Sequence, residues 1–164
     1  MRYKGKTLSG PAIQTLAIPR DSTTEPGDND IIFQAQAVMD PEAFELIYPS
    51  PEPPSRLLPG DPPKQSRNTE DPEYQKALRA WAGKKSSWMI LKSLSVTPDL
   101  EWERVKLDDP ETYDEYPIEL RESGFNDIEI RMIINLALKV NSIDEDKMEE
   151  ARKRFLARQG QAAK

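Results

Sequence analysis

The chain has 164 residues, of which 37% are hydrophobic and 32% charged, and this composition predicts one domain, or one domain with an extended arm. Its net charge of −6 argues against a general nucleic-acid binder, because such proteins neutralise phosphates with Lys and Arg. The absence of cysteine and histidine excludes disulfides, ordinary zinc sites, cysteine nucleophiles and histidine-based acid–base catalysis.

The hydropathy pattern gives no sign of a membrane or secretory segment. No apolar run approaches the roughly 18 residues that span a bilayer. The basic residues 1–6 are not followed by a hydrophobic region of signal-peptide length. The sequence therefore predicts a soluble cytoplasmic protein that does not bind membranes.

Residues 1–48 predict a short β element followed by a short helix. Residues 15–18 favour a strand that Pro19 ends, and residues 30–38 favour a longer strand with period-two alternation. One face of the longer strand carries Ile31, Phe33, Ala35 and Ala37.

The short helix is predicted over residues 42–47. The dipeptide Asp40-Pro41 places a capping acid before a proline at the helix start. Phe44 and Ile47, three positions apart, are expected to face inward together.

Residues 49–70 predict a proline-rich arm or linker. Seven prolines lie between Pro49 and Pro63, and such a run favours polyproline II or irregular extended structure. Composition favours a surface linker, and the alternative is a docking segment that wraps a partner. In that alternative the candidate partner-binding residues are Pro53, Pro54, Leu57 and Leu58.

Residues 71–94 predict a long helix that Asp71-Pro72 begins. Gly83 and Ser86-Ser87 are expected to bend or interrupt it. The pair Lys84-Lys85 between two tryptophans would suit stacking on nucleic acid, but tryptophans at helical spacing are more typical of a packed core. Residues 96–107 predict a short strand or extended connector whose inward residues are Leu100, Trp102 and Val105.

Residues 109–156 predict three further helices, so that residues 71–158 form a helical domain and residues 159–164 a disordered tail. Asp109-Pro110 begins the first helix and Gly124 ends it. Capping boxes begin the other two, at Asn126 with Glu129 and Ser142 with Glu145. The apolar faces of these two helices carry Ile130, Ile133, Ile134, Ala137, Leu138 and Val140, and then Met148, Ala151, Phe155 and Leu156.

The chain offers no constellation for catalysis. Glu101 and Glu103 would share a face on a strand, but an exposed pair of carboxylates is simply solvated. The acidic clusters at residues 108–109, 114–115 and 144–146 lack the ligand spacing of a calcium loop, and no phosphate-binding loop is present. The sequence predicts a protein that is not an enzyme and uses no metal or cofactor.

The C-terminal part carries a pattern of short motifs. These are Leu100-Glu101-Trp102-Glu103, Asp109-Pro110-Glu111-Thr112-Tyr113, Glu119-Leu120, Gly124-Phe125, Glu129-Ile130, Asn141 and Ala151-Arg152-Lys153-Arg154-Phe155-Leu156. The pattern resembles small tailed-bacteriophage proteins of the tail assembly chaperone type. It covers about the last 65 residues, with Phe33 and residues 44–54 fitting more loosely, and the proline-rich insert falls outside it.

The resemblance implies an acidic, non-enzymatic protein of the infected host cytoplasm. It implies binding to a tail tube or tape-measure protein before assembly. The alternatives are a minor virion component with an extended arm, and an acidic inhibitor of a host protein. A homo-oligomer is left open. The predicted fold class is α+β, with a short N-terminal β element, a proline-rich extended arm and a mainly helical C-terminal domain.

Overall fold

The computed structural model describes residues 2–3, 6–7, 11, 13–20, 30–59 and 64–141. The strands are β1 (Arg2–Tyr3), β2 (Lys6–Thr7), β3 (Ile13–Ile18), β4 (Ile31–Gln36), β5 (Ser55–Leu58) and β6 (Lys64–Arg67). The helices are α1 (Ala43–Ile47), α2 (Pro72–Leu94), a 3-10 helix (Pro110–Glu115), α3 (Tyr116–Glu122) and α4 (Asp127–Asn141). These elements confirm the α+β class with a mainly helical C-terminal part.

The six strands form three antiparallel hairpins, β1 with β2, β3 with β4 and β5 with β6. In the central hairpin, Ile13 lies opposite Gln36 and Ile18 lies opposite Ile31. Alternation sends Phe33 inward, as predicted, while Ile31 at the strand end is 37% exposed.

The proline-rich segment contains a hairpin that the sequence prediction missed. Residues 55–58 are free of proline, and β5 pairs with β6 in a register that sets Leu58 opposite Lys64. The neighbouring Pro54 joins the pairing only as an acceptor, since its carbonyl oxygen receives the Asn68 N–H at 2.7 Å. In a two-stranded sheet the flanking prolines need donate no ladder bond, so the run tolerates strand pairing.

Helix α1 differs from its prediction in its start and in one side chain. Glu42 precedes it without a side-chain cap, and Asp40 contributes only its carbonyl oxygen, 3.3 Å from the Ala43 nitrogen. Phe44 is completely buried, as predicted. The prediction for Ile47 is wrong: it is 38% exposed, because the helix ends there and its next turn never forms.

Helix α2 runs from Pro72 to Leu94 without a break, so the interruption predicted at Gly83 and Ser86-Ser87 is wrong. Asp71 caps it by accepting the N–H of Glu73 at 3.0 Å and of Tyr74 at 2.9 Å. Within it, the Ser86 hydroxyl donates to the Ala82 carbonyl oxygen at 3.0 Å, the bond to the preceding turn that a serine inside a helix can make. The buried residues of α2 belong to its last two turns, namely Trp88, Ile90, Leu91, Ser93 and Leu94.

The chain between α2 and the 3-10 helix forms no strand, which corrects one of the two predictions made for it. The Glu119 side chain, almost wholly buried, accepts the backbone N–H groups of Glu103 and Arg104. The carboxylate therefore accepts the backbone hydrogen bonds that a neighbouring strand would otherwise have accepted. Val105 is buried, as predicted.

The C-terminal capping signals act as predicted. Asp109 accepts the Glu111 N–H at 3.2 Å, although the turn that it begins is a 3-10 helix that leads into α3. Gly124 has a φ of +89°, the left-handed stop expected of it. Asn126 and Glu129 form a reciprocal capping box at 2.8 and 3.0 Å. The predicted box at Ser142 and Glu145, the last helix and the tail lie outside the described residues.

Helix α4 turns its predicted face to the core except at one residue. Ile130, Ile133 and Ala137 are buried, and Ile134 and Val140 pack against the core, but Leu138 is 48% exposed and Leu136 is buried in its place. Leu136 lines the same groove as Leu16, so β3 packs on that side of the helix. Periodicity alone could not decide between the two leucines, because both adjoin the apolar stripe.

One hydrophobic core joins the N-terminal hairpin, α1 and the C-terminal helices. Phe33 of β4 packs edge-on against Phe125 at 5.5 Å, and the Arg20 guanidinium lies 4.1 Å from the centre of the Phe125 ring. Arg20 also pairs with Glu129 at 3.3 Å. In the described ranges, no helix combines the length and apolar composition needed to cross a bilayer.

Candidate protein-binding groove

An open groove of about 680 Å³ lies where β4, α1 and the end of α2 meet. Trp88 contributes to its lining, although only 3% of this residue is exposed, and its walls come from elements that are far apart in the sequence. The described residues that line it are Gln36, Ala37, Val38, Met39, Asp40, Ala43, Ile47, Trp88, Lys92, Ser95, Val96, Leu107 and Asp108.

An aromatic cluster fixes the wall that α1 provides. The Phe44 ring lies 5.7 Å from that of Trp88, 5.8 Å from Trp81 and 6.0 Å from Tyr48. The Trp81 indole N–H donates to the Tyr48 carbonyl oxygen at 2.9 Å. A helix of five residues is too short to be stable alone, so these contacts hold it in place.

The lysine pair of α2 strengthens the same wall from outside. Lys85 forms an ion pair with Glu45 at 3.0 Å, and its ammonium group lies 4.8 Å from the centre of the Trp81 ring. Lys84 forms an ion pair with Glu111. Trp81 packs against Phe44, which favours the predicted core packing over stacking on nucleic acid.

The opposite wall is fixed by the last residue of α4. The Asn141 side chain accepts the Val38 N–H at 2.9 Å and donates to the Ser93 hydroxyl at 2.6 Å and the Ala137 carbonyl oxygen at 2.7 Å. One amide therefore ties β4, α2 and α4 together beside the groove. Because both walls are held by such contacts, the groove is formed before any ligand arrives.

Apolar side chains stand exposed beside this groove. Leu46 is 88% exposed and Met39 76%, the two largest values among the big hydrophobic side chains that the structure describes. Exposed apolar groups grouped around a concavity are typical of protein-binding sites. The lining residues therefore form a candidate docking surface, which we call the Trp88 groove, with the exposed Met39 and Ile47 at its rim and Leu46 next to Ile47 on α1.

The groove is lined by few charged residues, and the neutral phenol of Tyr113 supports the segment that supplies Leu107. Asp40, Asp108 and Lys92 stand at its mouth. Behind Leu107, the Tyr113 hydroxyl donates to the Leu107 carbonyl oxygen at 2.6 Å. Burial raises the pKa of Tyr113 to about 12, with a further contribution from nearby acids, so this hydroxyl keeps its proton and its hydrogen bond near neutral pH.

Comparison of the chain with models of protein families, with curated proteins and with solved structures gives no match.

The partner-binding residues predicted from the sequence lie elsewhere. Leu58 is 38% exposed on β5, Pro53 is half-buried and Pro54 is exposed. The side chain of Leu57 lies outside the described residues. None of the described residues that line the Trp88 groove belongs to the predicted arm, so the two surfaces are separate.

The carboxylates considered for chemistry also remain apart. Glu101 and Glu103 are exposed on the irregular connector. Within the described ranges, no three acidic residues come together as a metal-binding cluster. The buried Glu119 was missed by sequence reasoning, and its acceptance of two backbone N–H groups gives it a structural task.

Sequence reasoning also missed the rim of the groove. The exposure of Leu46, which adjoins the rim on α1, could have been predicted from the sequence, because in a helix whose buried residue is Phe44 a leucine two positions later points away from the core. The exposure of Met39 could not, since this residue follows β4 in an irregular segment. The groove itself joins segments that only the tertiary fold brings together.

Proposed function

We propose that this protein is a non-enzymatic binding protein in the assembly of a tailed-bacteriophage particle, acting as a tail assembly chaperone. The observation that carries the binding role is the preformed Trp88 groove with Met39 and Ile47 exposed in its lining. The phage context is carried by the sequence resemblance described above.

The shape and chemistry of the groove favour an amphipathic helix as its ligand. Its lining includes the apolar Ala43, Ile47 and Val96, and Met39 stands exposed at its rim, so it suits apolar side chains spaced three and four residues apart on one helix face. The net charge of −6 favours a partner with basic residues, since opposite charge accelerates encounter. An apolar and basic segment of a tail tube or tape-measure protein has this chemistry.

The motifs that carry the resemblance have clear structural tasks. Asp109 and Gly124 begin and end the unit that contains α3, and Phe125 packs on the N-terminal hairpin. Tyr113 holds the connector that supplies Leu107 to the groove. The residues that carry the resemblance therefore also hold the elements around the proposed site in place. This supports a link between the phage resemblance and the binding site.

The binding role is tested by co-expression with the tail tube and tape-measure proteins of the same phage genome. The double variant Met39→Ser, Ile47→Ser changes two exposed residues that line the groove, and it is expected to bind the partner more weakly by more than about 1 kcal/mol, with an unchanged thermal melt. Ile128→Ser is the matched control, because Ile128 is 70% exposed at the start of α4 and does not line the groove. Equal affinity of all three proteins would contradict the proposed site.

The alternative is a minor component of the virion, held there by the β5–β6 hairpin. The exposed Leu58 on this hairpin favours a second contact surface. Mass spectrometry of purified particles separates the two roles, because a chaperone leaves before maturation and a structural component stays. Detection of the chain at stoichiometric amounts would contradict the chaperone role.

A further inference from the structure

The two outer edges of the central hairpin differ in whether their backbone groups have hydrogen-bond partners in the described part of the chain. In the part of the chain that the structure describes, β3 and β4 form a sheet of two strands. The outer edge of β4 is occupied: the Thr97 hydroxyl accepts the Gln34 N–H at 2.9 Å and donates to the Gln34 carbonyl oxygen at 2.7 Å. The Val38 N–H, further along the same edge, bonds to Asn141.

These bonds fix the direction of the backbone groups of β3. In an antiparallel pair, two residues directly opposite each other either exchange both hydrogen bonds or point both pairs of groups away. Thr15 lies opposite Gln34, whose N–H and C=O turn outward to Thr97. The N–H and C=O of Thr15 therefore also point outward, and those of Ile13 and Ala17 do the same because the direction alternates.

The outer edge of β3 lacks the features that keep edge strands apart. Residues 13–18 contain no charge and no proline. The three residues whose backbone groups point outward also have exposed side chains, and Ile13 is 53% exposed. Beside this edge lies a groove of about 290 Å³ between β3 and α4, which Leu16, Met132 and Leu136 help to line. An added strand would place its inward side chains in this space.

We propose that the outer edge of β3 is a dimer interface, at which β3 of a second copy pairs antiparallel about a two-fold axis at Thr15. Thr15 then lies opposite Thr15 of the partner subunit, and Ile13 lies opposite Ala17 of the partner subunit. The product is a four-stranded antiparallel sheet with two protected β4 edges. The proposal is independent of the proposed function, since the Trp88 groove and this edge share no lining residue.

Two observations favour a second copy over another strand. The edge is self-complementary: threonines face each other at the centre, which favours a cross-strand hydrogen bond, an isoleucine faces an alanine on either side, and residues 13–18 carry no charge that would repel the same strand of a second copy. In addition, α4 packs on both β3 and β4. With strands about 4.8 Å apart, the two α4 helices would lie about 10 Å from each other, the usual packing distance. Met132, 45% exposed, would then be covered.

A cysteine cross-link tests the register directly, because the chain has no cysteine of its own. In the dimer the two Thr15 Cα atoms lie about 5.5 Å apart, within reach of a disulfide. Thr15→Cys treated with oxidised glutathione is expected to form a covalent dimer. Ile32→Cys, on the same face but on β4, is the control: the two copies lie more than about 14 Å apart and should stay uncoupled. Equal cross-linking of both variants would overturn the proposal.

Analytical ultracentrifugation tests the edge without a cross-link. The unaltered chain is expected to dimerise with increasing concentration, and Thr15→Lys is expected to raise the dissociation constant at least about tenfold, because two lysines then face each other. Ile32→Lys adds the same charge to the same face away from the axis and should leave the dimer intact. A monomer at every concentration, or equal loss of the dimer in both variants, would refute the β3 interface.

Discussion

Helix α4 and the β5–β6 hairpin depend on different sources of stability. α4 packs against α2, α3, β3 and β4, and its inner residues Ile133 and Ala137 are completely buried. The hairpin has exposed arginines at Arg56 and Arg67 and a partly exposed Leu58. Burial of apolar side chains stabilises the first, and backbone pairing the second. Substitutions should therefore affect global stability strongly in α4 and weakly in the hairpin.

The largest effect is expected from Ile133→Ala. The side chain is completely buried, so its truncation should cost about 2–5 kcal/mol through lost transfer free energy and a cavity. Leu138→Ala is the control on the same helix, where 48% exposure predicts a much smaller loss. Urea titrations of both variants give the comparison, and equal shifts of the midpoint would mean that α4 is oriented differently.

A second loss is expected at alkaline pH, and it arises at Tyr113 in the C-terminal region. The pKa of Tyr113 is raised to about 12 in the fold, mainly by burial, against about 10 in an unfolded chain. Its contribution to stability is therefore complete below pH 10 and is lost as pH rises toward 12. Thermal melts should be nearly flat between about pH 6 and 8, since the chain has no histidine. Tyr113→Phe should melt with a weaker alkaline dependence, and an unchanged dependence would assign the loss to other groups.

A smaller effect is expected at the start of α4. Asn126→Ala removes the side chain that accepts the N–H groups of Ile128 and Glu129, and should cost about 0.5–2 kcal/mol. Asn135→Ala makes the same change at an exposed position inside the helix, where alanine is the better helix former. Chemical denaturation should therefore show a loss only for the first variant. If both variants lose the same free energy of unfolding, the capping box is not the cause of the loss.

The smallest effect is expected in the hairpin. Leu58→Ser should change the free energy of unfolding by less than about 0.5 kcal/mol, because the side chain is partly exposed on β5. Trypsin should cut after Arg56 or Arg67 before it cuts in α4, since local opening of the hairpin costs less than global unfolding. If Leu58→Ser lowers the melt as much as Asn126→Ala does, the hairpin must pack on the core.

Local signals in the sequence predicted the helix ends well. Asp71, Asp109, Gly124 and Asn126 act within three residues of their own positions, so a single sequence contains all the information that their caps require. The same holds for the alternation that buries Phe33.

The rest depended on contacts between distant residues. Thr97 and Gln34 are 63 positions apart, and no local pattern predicts that a hydroxyl covers the edge of a strand. The choice between Leu136 and Leu138 depends on where β3 packs. The Trp88 groove also depends on contacts between distant residues, because its walls come from the N-terminal hairpin, α1 and α2.

The bond between Asn141 and Val38 also has a consequence for synthesis on the ribosome. The two residues are 103 positions apart, so the amide is made long after β4 has left the peptidyl-transfer site. At about 5–20 residues per second, the delay is roughly 5–20 s. During that interval Phe33 and Ala35 have no α4 to cover them, and a nascent-chain chaperone has time to bind. The N-terminal hairpin therefore cannot complete its packing until the ribosome has synthesised the end of α4.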